Sequence, residues 1–262
     1  MIEPGKQLEA MRSTAPLVHN ITNYVSMNIM ANVLLSAGAS PAMVHAEEEA
    51  ADFAAIAHAL TINIGTLSTP WVNTMLAAAK TANENNTPWV LDPVAAGATR
   101  FRSETSEKLL KHQPTVIKGN ASEILALAGT QGAGKGVDAT DGVEAAEQSA
   151  QALANATGSV VAVTGENDYI TDSTQAYRIG NGHETMPLIT ALGCSLGGVI
   201  AAFCAAGKPM DATVSAIAYY GLAGEIAAKQ STLPGGFATA FVDALHSINH
   251  DQLSAGAKIE AA

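Results

Sequence analysis

The chain has 262 residues, 48% of them apolar and only 14% charged, which supports a large buried core and excludes an intrinsically disordered protein. Its 24 acidic residues against 13 Lys and Arg give a formal net charge of −11, which argues against a surface built to neutralise nucleic-acid phosphates or anionic lipid. Aromatics are scarce at 5% while Ala and Gly are plentiful, so the core is made of small side chains that let helices approach closely.

The opening "MIEPGKQLEAMRS" holds no apolar signal core, and every apolar run falls short of the roughly 18 residues a membrane span needs. The expectation is a cytoplasmic protein with no membrane and no nucleic-acid partner. "PLVHNIT" then reads as a short strand, and "NYVSMNIMANVLLSAGAS" as a helix stopped at Gly38. "PAMV" is a second extended piece. "AEEEAADFAAIAHAL" is helical, with Glu47, Glu48 and Glu49 at the end where the helix dipole favours acids. "LTINIGT" reads as a strand and "TPWVNTMLAAAKTANENN" as a helix opened by Thr-Pro.

"TPWVLDPVA" is a strand running into Asp-Pro, followed by a helix near 103–112. "PTVIKGNASEILALAG" gives a strand, a turn and a helix capped by Asn or Ser, and "TQGAGKGVDATDG" a polar loop. A helix extends to about Gly158, and "SVVAVTGENDYITD" with "TQAYRIG" forms a strand and a hairpin. A strand-like run, "LITAL", leads into three closing helices at 194–206, 210–229 and 236–248. This alternation predicts one α/β domain over residues 1–262, a mostly parallel sheet covered on both faces with antiparallel additions at one edge.

In such sheets ligands bind beyond the carboxyl ends of the strands. That rule selects Asn20, Gly65, Asp92, Lys118 to Glu123, Thr164–Gly165 and Gly193–Cys194. Two motifs off that rim read blandly. "GTQGAGKG" lacks the final Ser or Thr of a phosphate loop and follows a helix. His246 and His250 lack a neighbouring Glu and fit a solvated helix face.

Asp92 before Pro93 suits a turn, and Glu123 in "KGNASE" suits a helix cap, but two carboxylates on one rim also suit Mg²⁺. Thr164 in "VTGE" is either a turn hydroxyl or a nucleotide contact. Cys194 and Cys204 are the only cysteines. On one helix they stand about 15 Å apart, beyond the ~7 Å a disulfide allows. Cys204 reads as filler among alanines. Cys194 opens a helix in "GCSLGG", where exposed N–H groups make an anion site and are expected to lower the thiol pKa.

The set "PLVHNITN", "AGASPAM", "LTINIGTL", "PWVLDPVAAGA", "IKGNASEILALAG", "GKGVDATD", "VAVTGENDYITD", "GCSLGG" and "GGFATAFVDAL" resembles the hydroxyethylthiazole kinases, thiamin-salvage enzymes. The resemblance spans nearly the whole chain. It implies a three-layer ribokinase-like sandwich and ATP- and Mg²⁺-dependent phosphorylation of the primary alcohol of 5-(2-hydroxyethyl)-4-methylthiazole. It also implies a homotrimer with the thiazole near a subunit boundary. Residue by residue, it implies metal-site roles for Asp92 and Glu123, nucleotide contacts for Lys118 and Thr164, and thiazole contacts for Met43, Asn20 and Ala191. It makes Cys194, with Gly193, the catalytic pair.

The chain departs from the family at two places. Lys118 stands where Arg is usual, keeping the charge but losing the planar two-pronged grip on phosphate. Ala191-Leu192-Gly193-Cys194 replaces Gly-Thr-Gly-Cys, adding a methyl near the substrate and removing a hydroxyl. Two other readings stand beside the kinase: a nucleotide-dependent dehydratase of hydrated NAD(P)H on the same fold, and a non-catalytic thiazole or nucleotide binder.

Overall fold

The computed structural model describes residues 2–130 and 142–262. The chain opens with α1 (Pro4–Thr14), β1 (Leu17–Ile21), α2 (Met27–Ala37), β2 (Ser40–Ala42), α3 (Ala50–Ile56) and β3 (Ala59–Asn63). It continues with α4 (Thr69–Glu84), β4 (Trp89–Asp92), α5 (Arg100–Leu110), β5 (Val116–Asn120), α6 (Ala121–Thr130) and α7 (Gly142–Thr157). Strands β6 (Val160–Thr164), β7 (Asp168–Thr171) and β8 (Ala176–Ile179) follow. Helices α8 (Leu192–Cys204), α9 (Pro209–Gln230), α10 (Pro234–Ser247) and α11 (His250–Gly256) lead to β9 (Ile259–Ala261).

The nine strands lie in the order β2-β1-β3-β4-β5-β6-β7-β8-β9. The first six are parallel, and β7, β8 and β9 add antiparallel at one edge. Helices α1, α2 and α8 to α11 bury one face of the sheet, and α3 to α7 bury the other. The result is three layers. Local chemistry sets several of the boundaries. Gly38 ends α2 with φ 103°, a left-handed conformation only glycine adopts at no cost. Ser68 caps α4 by accepting the N–H of Trp71, and Thr99 caps α5 by accepting that of Arg102.

The fold corrects the sequence reading at four points. α1, α11 and β9 carry too few apolar residues in a recognisable period to announce themselves; α1 buries only Leu8 and Met11 beyond its Pro-Gly start. The run "LITAL" before Cys194 is not a strand. Pro187 cannot donate to a ladder, and the chain instead makes a single 3-10 turn over Met186–Leu188. The Gly-rich stretch at 131–141 lies outside the described residues. Among the described residues, no helix is long and apolar enough to cross a membrane.

Candidate active site

Alternation along the strands sorts their side chains by face. Leu60, Ile62, Leu91 and Ile117 face α3 to α7. Their neighbours Thr61, Asn63, Asp92 and Lys118 therefore face α8, as does Asn20 of β1. Strand register sets Asn20 beside Thr61 and Asn63 beside Asp92. Helix α8 crosses directly above: a Cβ on Gly198 would stand 3.4 Å from Asn20 Oδ1, and one on Gly197 3.9 Å from Asp92 Cβ. The carboxyl end of this face is thus polar and buried, with Asn20, Thr61, Asn63 and Asp92 no more than 1% exposed.

These groups close into a ring. Cys194 Sγ accepts from Asn23 Nδ2 at 3.4 Å, and Asn23 Nδ2 also donates to Asn63 Oδ1 at 2.9 Å. Asn63 Nδ2 donates to Asp92 Oδ2 at 2.7 Å. Lys118 Nζ lies 3.1 Å from the same Asp92 oxygen and donates to the carbonyl of Gly193 at 2.9 Å, one residue from Cys194. Gly65 makes room for the ring, since any Cβ there would fall 2.7 Å from Asn23 Nδ2.

Burial pushes the Asp92 carboxyl up to about 6, with Lys118 opposing the rise and Glu123 adding to it. Burial works against the charge of Lys118, yet Asp92, Cys194 and Glu123 outweigh it and hold the ammonium above its ordinary value. The Cys194 thiol is raised, first by burial and then by Asp92, against the pull of Lys118 and the amides of Asn23 and Asn63. The helix start does not lower it as the sequence suggested, because the thiol is largely desolvated and shares its pocket with a carboxylate.

Glu123 meets its capping expectation in full. Its Oε2 accepts the N–H of Asn120 and its own N–H donates to Asn120 Oδ1, a reciprocal cap that opens α6. Its Oε1 accepts the N–H of Ala95 beyond β4, so one carboxylate ties two rim loops together. Asp92 Oδ1, by contrast, is buried and has no partner. A cation would find one open carboxylate oxygen on Asp92 and a second carboxylate on the same rim already holding N–H groups. That set fits Mg²⁺, which keeps several waters and takes one or two carboxylates with phosphate oxygens. Among the described residues no cluster of three or more His, Cys, Asp or Glu competes as a metal site.

Beside the ring opens a cleft of about 1220 Å³, lined by 164–168, 180–184 and 189–193 and floored by Leu196, Ile217 and Tyr220. Thr164, Ala191 and Gly193 therefore reach it, and nothing lies within 4 Å of a Cβ placed on Gly193. Ala191 sits at the helix start with φ 65° and ψ 0°, a left-handed conformation. Asp168, a residue the sequence reading passed over, lines the same cleft, where it accepts the N–H of Gly165 at 2.9 Å. Burial raises its carboxyl to about 7, against the Gly165 N–H and Lys118.

Asn20 and Met43 stand apart from this cleft. Asn20 is fully buried and donates to the carbonyls of Val18 and Ala42, so it touches Met43 only through the neighbouring backbone. Met43 is half-buried against the α8-side core. Asn23 and Asn63 were also missed in the sequence. For Asn63 the signal is there in "LTINIG", where polar residues alternate with Leu60, Ile62 and Ile64.

A three-layer fold with a helix start and a half-open carboxylate together at the carboxyl rim of its sheet is the arrangement of the small-molecule kinases of the ribokinase-like type, and the comparisons put the chain among them. The solved pyridoxal kinase of Staphylococcus aureus shares this fold at a TM-score of 0.65 and 16% identity, covering 94% of this chain and 98% of that one. The profile of the hydroxyethylthiazole kinase family matches residues 8–251, and the chain belongs to that family. It is 58% identical to a hydroxyethylthiazole kinase of Cereibacter sphaeroides, over 98% of each chain. It is 56% identical to one of Rhizobium leguminosarum, over 99% of this chain and 98% of that one. The solved hydroxyethylthiazole kinase of Pyrococcus horikoshii superposes at a TM-score of 0.93 with 40% identity, over 99% of this chain and 98% of that one.

Proposed function

We propose that the chain carries out its family's reaction, phosphorylation of the primary hydroxyl of hydroxyethylthiazole, with ATP as donor and Mg²⁺ at Asp92. The observation that carries this reading is the unpartnered Asp92 Oδ1, in the ring that ties Asp92 through Lys118 to Gly193, which lines the cleft. When bound, Mg²⁺ supplies charge neutralisation for the phosphate oxygens. Asp92, with its unpartnered Oδ1, would hold it, with Glu123 on the same rim as the second carboxylate.

In phosphoryl transfer the hydroxyl oxygen bonds to the γ-phosphorus as the bond to the β–γ bridging oxygen breaks, and alignment matters more than covalent help. The free N–H groups at the start of α8 receive the moving phosphoryl group. Cys194 receives the hydroxyl of the alcohol. Its raised thiol favours orienting that hydroxyl over removing its proton early, and a loose transition state asks for no more. Lys118 adds positive charge behind Asp92, and Thr164 lies on the nucleotide side of the cleft. Met43 and Asn20, which stand outside this cleft, are read as the thiazole contacts on the family resemblance alone.

We also read the chain, on the family resemblance, as a cytoplasmic homotrimer with the thiazole near a subunit boundary. The test is ADP release from ATP and Mg²⁺ with hydroxyethylthiazole, one ADP per phosphorylated thiazole being expected. Thiazole binding by calorimetry without ADP release would turn the reading to a non-catalytic binder. Nucleotide-dependent loss of hydrated NAD(P)H would turn it to the dehydratase.

A further inference from the structure

The amide of Asn23 has its orientation fixed by its surroundings. Its Oδ1 accepts the N–H groups of Val25 and Ser26 at 3.1 and 3.0 Å, so Nδ2 must face inward, where it donates to Asn63 Oδ1 and Cys194 Sγ. Asn63 is fixed in the same way. Its Oδ1 accepts the N–H of Gly65 at 2.9 Å as well as Asn23 Nδ2, which leaves Nδ2 for Asp92 Oδ2. No other rotation of either amide satisfies all these partners. The thiol on α8 and the carboxylate on β4 are therefore held by one continuous amide chain through Asn63, which itself is fully buried.

We infer that Asn63 is a positioning residue for phosphoryl transfer: it fixes Asp92 directly and Cys194 through Asn23, so that carboxylate and thiol keep one relative placement. The inference rests on the kinase reading of the site. Asn63 touches neither substrate. It acts by leaving Asp92 Oδ1 free while occupying Oδ2, and by holding the Asn23 amide that donates to the sulfur. Misplacing either group by about 1 Å is enough to cost about 100-fold in rate.

The test uses the full-length protein carrying Asn63→Asp or Asn23→Asp. Each keeps the shape of the side chain and its acceptor oxygen but replaces the donor. In Asn63→Asp, turnover is expected to fall about 100-fold while KM for the thiazole alcohol and for ATP each stay within about threefold. Iodoacetamide labelling of Cys194 in the ligand-free protein, followed by peptide mass spectrometry, is expected to slow about tenfold in Asn23→Asp, where the sulfur loses its amide donor, and by less in Asn63→Asp, where Asn23 still donates but the pull of the Asn63 amide is lost.

Asn23→Asp retains the oxygen that holds Val25 and Ser26, and so carries the test should Asn63→Asp not fold. Unchanged labelling in a folded variant overturns the inference. So does a fall in turnover matched by equal losses of affinity for both substrates, which marks packing alone. If the parent protein fails to phosphorylate the thiazole, the kinase reading falls, while the labelling arm still decides whether the amide chain holds the thiol.

Discussion

The two faces of the parallel sheet are built from the same strands and differ in nearly everything else. Toward α4 and α6 the strands present Leu60, Ile62, Trp89, Leu91 and Ile117, an apolar floor that runs to the rim. Toward α8 the same strands begin apolar, with Val18, Ala59, Val90 and Val116, and turn polar over their last residues. Buried polar groups cost free energy unless each finds a partner. On the α8 face they find one another, except at Asp92 Oδ1, Asn20 Oδ1 and Thr61 Oγ1. One face holds the molecule together, and the other spends part of its cohesion on a pre-arranged site.

The contrast is sharpest within α8, where two thiols occupy the two ends of one helix. Cys194 is held by Asn23 at the rim, whereas Cys204 is buried among core residues and its thiol is pushed up to about 12 by that burial. Cys194→Ala is expected to lower turnover about 10²- to 10³-fold with thiazole binding retained. Cys204→Ala is expected to keep turnover and cost about 1 kcal/mol of stability. Steady-state kinetics and thermal melting of the two variants check this, and equal turnover in both would remove Cys194 from the chemistry.

On the apolar face a titratable group intrudes. His19 of β1 points toward α3, edge-on to Phe53, and donates Nε2–H to the carbonyl of Val44, leaving Nδ1 buried and without a partner. Burial lowers its pKa to about 4, with the Val44 bond opposing and His45 adding to the fall. Between that value and 6.5 the unfolded chain binds a proton that the folded chain refuses. The stabilisation is complete above about pH 6.5 and is lost as pH falls toward 4. The loss amounts to about 3 kcal/mol for this residue. Asp92 and Asp168, raised by burial, push the other way in parent and variant alike, so urea unfolding from pH 7 to 4 should show the His19 loss as the difference between the parent protein and His19→Leu. His45, also lowered by burial, leaves a smaller remainder of the same sign.

The alternation of strands and helices makes the layer order readable from sequence, and the rule that ligands lie beyond strand ends points to Asp92, Lys118 and Cys194, which the structure brings into one ring. What sequence could not give is the third dimension of the ring. The resemblance makes Lys118 a nucleotide contact on the rim, yet register and alternation turn it inward, 5% exposed, between Asp92 and the Gly193 carbonyl. Asn23 lies beyond the end of β1, where no periodicity indicates direction, and only the closeness of Gly65 brings it onto Asn63. The short α11 and β9 carry no period long enough to see. Their places are set by packing on α1 and pairing with β8.

The smallest effect tests the helix start itself. Ala191 holds φ 65° where its neighbourhood turns from the 3-10 segment into α8, and Ser195 donates both its N–H and its hydroxyl to the Ala191 carbonyl. Those bonds need the carbonyl aimed down the helix, which fixes the left-handed backbone and makes an alanine bear it at about 1 kcal/mol relative to glycine. A glycine at this position would avoid that strain. Ala191→Gly gives back part of the gain through the greater freedom of the unfolded chain. Differential scanning calorimetry should still show a rise in Tm of up to about 2–4 °C. An unchanged or lower Tm would mean that the surrounding bonds, rather than the residue, already carry the turn, and that the polar face tolerates its side chain at no cost to the fold.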